Sequence, residues 1–332
     1  MKRGVVAALT CVGLWFVWAS PGAAQAGAGI IILKRIVTDA PKVTRIALGD
    51  AGRMYVLTPD DHAVSVHDLS GGAIGRVGLV GNGPGELLNP VDLTAAPGGA
   101  VWVVDKGNNR LQRFDRDGRV NAQVSIPSPL SVAVGPGGGL WVVAAFDRPL
   151  VRVFDQAGSQ TREVGEPVRV SGMPAEQEAY LSRGRVFSFD GGLLYMFRGL
   201  AKPKLLKIDL KGQVVQEIAV ESPALDGARQ RATQMEEDMR KNGGFRYSGT
   251  LNGLAVESGR GIIWVCPSAP LLLAYDLATG SKLAEFEMRL DDAAGGKVAL
   301  QDLVVRGKVG FGVVAKRGVV RFDLPPLPKG RS

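Results

Sequence analysis

Asp92 and Asp302, with Asn89 and Asn252, form the most chemically suggestive set in the sequence. Each lies nine to thirteen residues ahead of an aromatic: Asn89 and Asp92 before Trp102, Asn252 before Trp264, Asp302 before Phe311. Carboxylate and amide oxygens gathered in this way suit Ca²⁺, which takes six to eight oxygen ligands. The set lacks a glutamate, and Arg45, ten residues before Tyr55, falls at the same level and could neutralise the aspartates. Two readings stay open: a calcium site, or a water-filled channel closed by an Asp–Arg cluster. No cofactor other than Ca²⁺ is implied.

A second set is cationic. Lys106, Asn109, Arg110, Arg148, Lys202 and Lys204 sit in polar stretches between apolar segments, with Asp60, Asp61, His62, Asp105, Asn108, Asp147, Arg198, Lys316 and Arg317. Cations outnumber acids eight to four there, which suits an anionic partner or simply a solvated rim. Enzyme signatures are scarce. The only histidines are His62 and His67, too few for a zinc site built on several imidazoles. HExxH, GxSxG and CxxC are all absent. His62, near Asp60 and Asp61, is the better acid–base candidate; His67 reads as an exposed strand residue. Cys266 reads as a small buried apolar side chain.

The elements that position these residues repeat. VDLTAAPGGAVWVVDKGNNRLQRFDRDG (91–118) and SVAVGPGGGLWVVAAFDRPLVRVFDQAG (131–158) show the unit most clearly. Its aromatics fall at Tyr55, Trp102, Trp141, Tyr195, Trp264 and Phe311, and its aspartates at Asp68, Asp115, Asp155, Asp209, Asp276 and Asp323. Each aromatic precedes its aspartate by 12 to 14 residues. A fixed period of this kind marks a repeat architecture. Turns such as APGGA and FDRDG join the strands, through glycine at positive φ and aspartate accepting backbone N–H bonds. Four-stranded antiparallel units around an axis make an all-β, six-bladed β-propeller. The blades fall near 43–78, 91–125, 130–165, 184–220, 253–288 and 300–325. The sixth lacks an outer strand, which 30–37 can supply; the alternative is a disordered leader. Aligning first strands on their aromatics puts Arg45, Asp92, Ser131, Val186, Gly253 and Asp302 at one axial level.

Residues 81–118, GNGPGELLNPVDLTAAPGGAVWVVDKGNNRLQRFDRDG, resemble the NHL repeat of six-bladed propellers. The shared pattern is a Gly-Pro-Gly loop, a Pro before the first strand, then Asp-x-x-Asn-x-Arg and Asp-x-x-Gly. The resemblance implies a binding or scaffold propeller for a protein, peptide or anionic glycan. Some related propellers are lyases or lactonases, and six-bladed lactonases of the gluconolactonase and paraoxonase type hold calcium near the axis. A Ca²⁺-dependent lactonase or hydrolase around Asp92 and Asp302 is thus the alternative function. In the NHL-like unit, Asn108 and Arg110 fix the loop more often than they touch a ligand.

Two insertions interrupt the period: 168–183, with a short helix from Pro174, and 222–243. Ser222 as N-cap, Pro223 in the first turn and Gly243 past the end delimit the second helix. Leu225, Ala228, Ala232, Met235 and Met239 give it one apolar face, suited to packing on the propeller or to a lid.

The first 26 residues stand apart: Met1-Lys2-Arg3, an apolar run to Ala19, a break at Ser20-Pro21-Gly22, and Ala24-Gln25-Ala26. This reads as a signal peptide cleaved before Gly27, with no transmembrane span left afterwards; an uncleaved anchor is the rival. Export to the periplasm or beyond follows. Cleavage leaves Cys266 alone, so no intramolecular disulfide forms. Of the 40 lysines and arginines, two lie in this segment and no acid does, so the net charge falls from +8 to +6. Outside the cytosol, nucleic acid is the least fitting partner for that charge. Residues 326–332 read as a tail.

Overall fold

A computed structural model describes residues 27–38, 42–145, 149–293 and 295–327; the expected signal segment lies outside them. Apolar residues alternate with polar ones over short runs, and glycine or aspartate turns end each run. The outcome is a series of antiparallel four-stranded meanders. The first comprises Arg45–Leu48, Arg53–Thr58, Ala63–Asp68 and Ala73–Val77. Three more begin at Pro90–Ala96, Pro129–Val134 and Gly184–Phe189. The fifth spans Leu251–Glu257 to Lys282–Leu290, and the sixth begins with Leu300–Arg306, Val309–Val314 and Gly318–Asp323. The repeated aspartates perform as turn formers. Asp68, Asp115, Asp155, Asp209 and Asp276 each accept backbone N–H bonds two to four residues on, at 2.7–3.0 Å.

The long strand Gly27–Val37 serves two units. Its second part runs antiparallel to Gly318–Asp323, pairing Lys34 with Arg321 and Val37 with Val319. Its first part, Gly27 to Leu33, runs parallel to Lys282–Leu290. The expectation gave 30–37 to the sixth unit alone; Ile30 to Leu33 instead extends the fifth, and the two units share one eight-stranded sheet. The side chains alternate accordingly, with Ile31 and Leu33 buried and Ile30 and Ile32 exposed.

The core lies between sheets. Tyr55 and Leu57 pack on Leu93 and Val101 of the next unit, Trp102 on Val132 and Val142, and Trp264 on Leu300 and Leu303. Phe311 and Val313 of the last unit pack on Ile46 and Met54 of the first. Tyr195 is the exception, for it faces back towards Trp141 and Val153 of the preceding unit. The first strands of the six units also touch in cyclic order.

The helices follow their caps. Ala175–Leu181 starts after Pro174. The Ser222 hydroxyl accepts the Ala224 N–H ahead of Asp226–Asn242, whose last turn is closed by Gly243 at φ 71°. Ala228, Ala232, Met235 and Met239 are all buried, the methionines in the core shared by units three and four. No helix among the described residues is long and apolar enough to cross a membrane.

Gly318 sits at φ 86°, and a Cβ there would lie 1.9 Å from the Val37 carbonyl oxygen. Gly261, at φ 63°, has open space around it. Gly261→Ala should therefore cost only the left-handed backbone penalty of about 1–2 kcal/mol. Gly318→Ala should cost about 3 kcal/mol or more, because the paired strand must also move. Denaturant melts of the two variants measure the difference, and equal losses would show that the Val37 strand is not seated there.

Candidate functional site

The first strands run side by side around an axis, and the residues at one level on them point inwards. Asp92 accepts the Val132 N–H at 3.3 Å, Asp302 the Ile46 N–H at 3.1 Å, and Ser131 the Val186 N–H at 3.3 Å. Each side chain thus caps the backbone of the next unit. Between the two carboxylates lies Arg185, 2.6 Å from Asp302 and 3.0 Å from Asp92. Arg45 lies 3.6 Å from Asp92 and donates to the Thr44 carbonyl at 2.6 Å. All four are nearly or fully withdrawn from solvent. Burial disfavours the Arg185 charge, but Asp302 and Asp92 outweigh it and hold its pKa above the ordinary value. Burial, then repulsion from Arg185, pulls Arg45 down to about 10.

Sequence alignment put Val186 at this level, and the structure puts Arg185 there. In the other five units the residue opposite the first strand's core position directly follows the aromatic: Ile46–Val56, Leu93–Val103, Val132–Val142, Leu254–Val265 and Leu303–Gly312. In the fourth unit Val186 pairs with Tyr195 itself. Tyr195 is one residue out of step, and a one-residue slip turns a strand side chain to the opposite face.

The proposed calcium donors are partly brought together. Asp92 and Asp302 converge, but on the Arg185 guanidinium. Asn252 donates to the carbonyls of Leu300 at 2.8 Å and Pro267 at 3.2 Å. Asn89 adopts φ 48° and gives its backbone N–H to His62 Nδ1 at 2.8 Å. An ion at the aspartates would have to displace a buried cation. Among the described residues no group of three or more His, Cys, Asp or Glu stands ready for a metal.

Above the cluster opens a pocket of about 490 Å³, lined by Arg45, Lys106, Arg183, Arg185, Arg198 and Tyr247, with Thr44, Asn89, Asn252 and Gln301 among the rest. Among the described residues no carboxylate is in its lining. The two buried aspartates answer Arg45 and Arg185, so Lys106, Arg183 and Arg198 are in excess. Arg183 lies over the Tyr180 ring at 3.5 Å, and Arg198 is 5.4 Å from the Tyr247 ring centre. The buried Nε of Arg45, Arg185 and Arg198 makes no hydrogen bond among the described residues. Below the cluster the channel is lined by Ile46, Leu93, Val132, Leu254 and Leu303, together with Thr94 and Ser188 and the cluster's own Arg185 and Asp302.

The remaining expected ligand residues scatter. Arg110 is buried and fully used, on Asp105 at 2.8 Å and on the carbonyls of Gly83 and Glu86 at 2.8 Å. Asp105 also accepts from Asn108 at 2.8 Å and from the Leu88 N–H at 2.7 Å. Asn109, at φ 51°, accepts the Ser128 N–H at 2.8 Å. Arg110 and Asn109 therefore build the loops rather than face a ligand. Lys202 and Lys204 lie in a separate open groove beside the long helix, and Lys204 pairs with Glu217 at 2.8 Å. Arg148 lies outside the described residues. His67 is buried, not exposed: Nδ1 donates to the Gly71 carbonyl at 3.1 Å and Nε2 meets Ser65 Oγ at 2.9 Å. Cys266 is buried, and burial raises its thiol pKa.

The Asp105–Asn108–Arg110 clamp folds the Gly-Pro-Gly loop back on the strands that follow. The strands after this loop match the NHL repeat. The repeat's pattern matches residues 87–114. Three solved structures share the fold beyond it. A catalytically inactive histidine-to-alanine form of virginiamycin B lyase from Staphylococcus aureus, with quinupristin, is 14% identical at a TM-score of 0.56, covering 86% of this chain and 82% of its own. A streptogramin B lyase is 12% identical at 0.54, covering 89% and 88%. The selenomethionine form of the S. aureus lyase is 13% identical at 0.55, covering 89% and 100%. At such identities the likeness establishes a β-propeller fold and no activity. No curated protein matches the sequence.

Removing Arg185 alone strands two buried carboxylates, which typically costs 3–5 kcal/mol. Arg185→Met should destabilise by about that much at pH 7. Adding Asp92→Asn and Asp302→Asn should recover most of it. Denaturant melts of the single and the triple variant test this, and a loss that the triple variant keeps in full would mean that the carboxylates do not depend on Arg185.

Proposed function

We propose that this chain is an exported, six-bladed propeller that binds an anionic ligand in its axial pocket. The single observation that carries the binding role is the pocket's lining of five cations and, among the described residues, no carboxylate. Charges of one sign lining a concave site concentrate counter-charged ligands there. The cyclic contact of six first strands, with Lys34–Val37 as the outer strand of the last unit, supports a ring of six blades. The basic, apolar and small-residue order of residues 1–26 supports export. The lyases' activity stays with those proteins. Neither histidine of this chain lines the pocket, and both have their Nδ1 engaged.

Binding to the folded state alone raises the thermal midpoint by mass action. Millimolar citrate should raise it relative to sodium chloride of equal ionic strength. Arg198→Gln with Lys106→Gln should remove most of the rise, since a charge-assisted hydrogen bond contributes about 1.5–3 kcal/mol. A citrate effect that is absent, or the same in the double variant, would overturn the axial anion site.

A further inference from the structure

The pocket has one wall that an inorganic anion would not need. Residues 243–249 leave the long helix through Gly243 and Gly244, both at positive φ, and bring Phe245 and Tyr247 to the rim. The strap is fastened from beneath. Gln177 donates to the Gly244 carbonyl at 3.2 Å, and Tyr180 meets Phe245 ring to ring at 5.1 Å. Tyr247 lines the pocket with Arg198 beside its ring, yet remains 47% exposed. An aromatic face held open above guanidinium groups fits a ring that carries a carboxylate. The other lining groups narrow the choice. The side-chain amides of Asn89 and Gln301 bond to nothing else among the described residues, and Thr44 Oγ1 is buried without a partner. Asn252 donates to two carbonyls and keeps its amide oxygen for an incoming donor. Amides and a hydroxyl grouped around one cavity suit a polyhydroxylated ligand, whose hydroxyls both donate and accept. The volume of about 490 Å³ lies within the range for a small-molecule pocket.

Resting on the axial anion site proposed above, we infer that its ligand is the hexuronic-acid end of an acidic glycan: the sugar ring stacks on Tyr247, the carboxylate lies among Arg45, Arg183 and Arg198, and the hydroxyls meet Asn89, Asn252 and Gln301. Aromatic faces stack on ring C–H surfaces, and the cations add charge-assisted bonds to the carboxylate.

Calorimetric titration of the purified chain with a galacturonate trisaccharide, a neutral galactose trisaccharide, benzoate and acetate separates the outcomes. The galacturonate should bind at least tenfold more tightly than acetate or benzoate, and the neutral sugar should bind weakest. Tyr247→Ala should lower the galacturonate-to-acetate ratio several-fold, and Tyr247→Phe should keep it. Equal affinity for galacturonate and acetate, or a ratio that survives Tyr247→Ala, overturns the sugar assignment and leaves the anion site standing. Tighter binding of benzoate than galacturonate replaces the sugar by an aryl carboxylate. If no anion binds, the axial site falls with the inference.

Discussion

The ion network on the axis is the constraint from which the rest of the site follows. Arg185 spans Asp92 and Asp302, which belong to units two and six, while itself belonging to unit four. The same aspartates accept backbone N–H bonds from units three and one. Charges on first strands widely separated in sequence are therefore tied at one point. Buried ion pairs contribute little net stability against apolar substitutes, but they exact a large penalty when one partner is missing. Their value here lies in specification: three buried charges are satisfied only when the strands stand in one register about the axis.

Around that centre the structure divides by chemistry. Stability comes from the apolar cores between successive sheets, each buried aromatic adding contact area beyond the reach of water. The Asp–Arg cluster separates a lower channel of mixed lining from a cationic mouth. Because the two carboxylates are spent on Arg185 and Arg45, the cations of the rim keep their charge unanswered. The NHL clamp places Lys106 at that rim by fixing the loop before it, and the helical insertion supplies the aromatic strap.

Much of this was legible in the sequence. The turn aspartates, the glycine turns, the N-cap at Ser222 and the apolar face ending at Met239 are local signals, and local physics decided them. The aromatic period located the units. It failed at Tyr195, which sits one residue later in its strand and faces the preceding unit; a spacing of nine to eleven residues between axial position and aromatic across the units admits Val186 as well as Arg185. Tyr247 carried no signal, because it lies in an insertion outside the repeat. Charge counts along loops grouped Arg110 with Lys106, although one is consumed by Asp105 and the other lines the pocket. Composition cannot distinguish a cation already paired from one still available. The calcium reading drew on the convergence of Asp92 and Asp302, which is present; it did not have the guanidinium between them.

The central claim is that the cationic mouth on the axis of this propeller receives a carboxylate. A crystal soaked with a galacturonate trisaccharide tests it most directly. The account predicts difference density for a carboxylate within hydrogen-bonding distance of Arg45, Arg183 or Arg198, with Arg185 still bridging Asp92 and Asp302. Density for the sugar in the groove beside Lys202 and Lys204 instead, with the axial pocket empty, would contradict it.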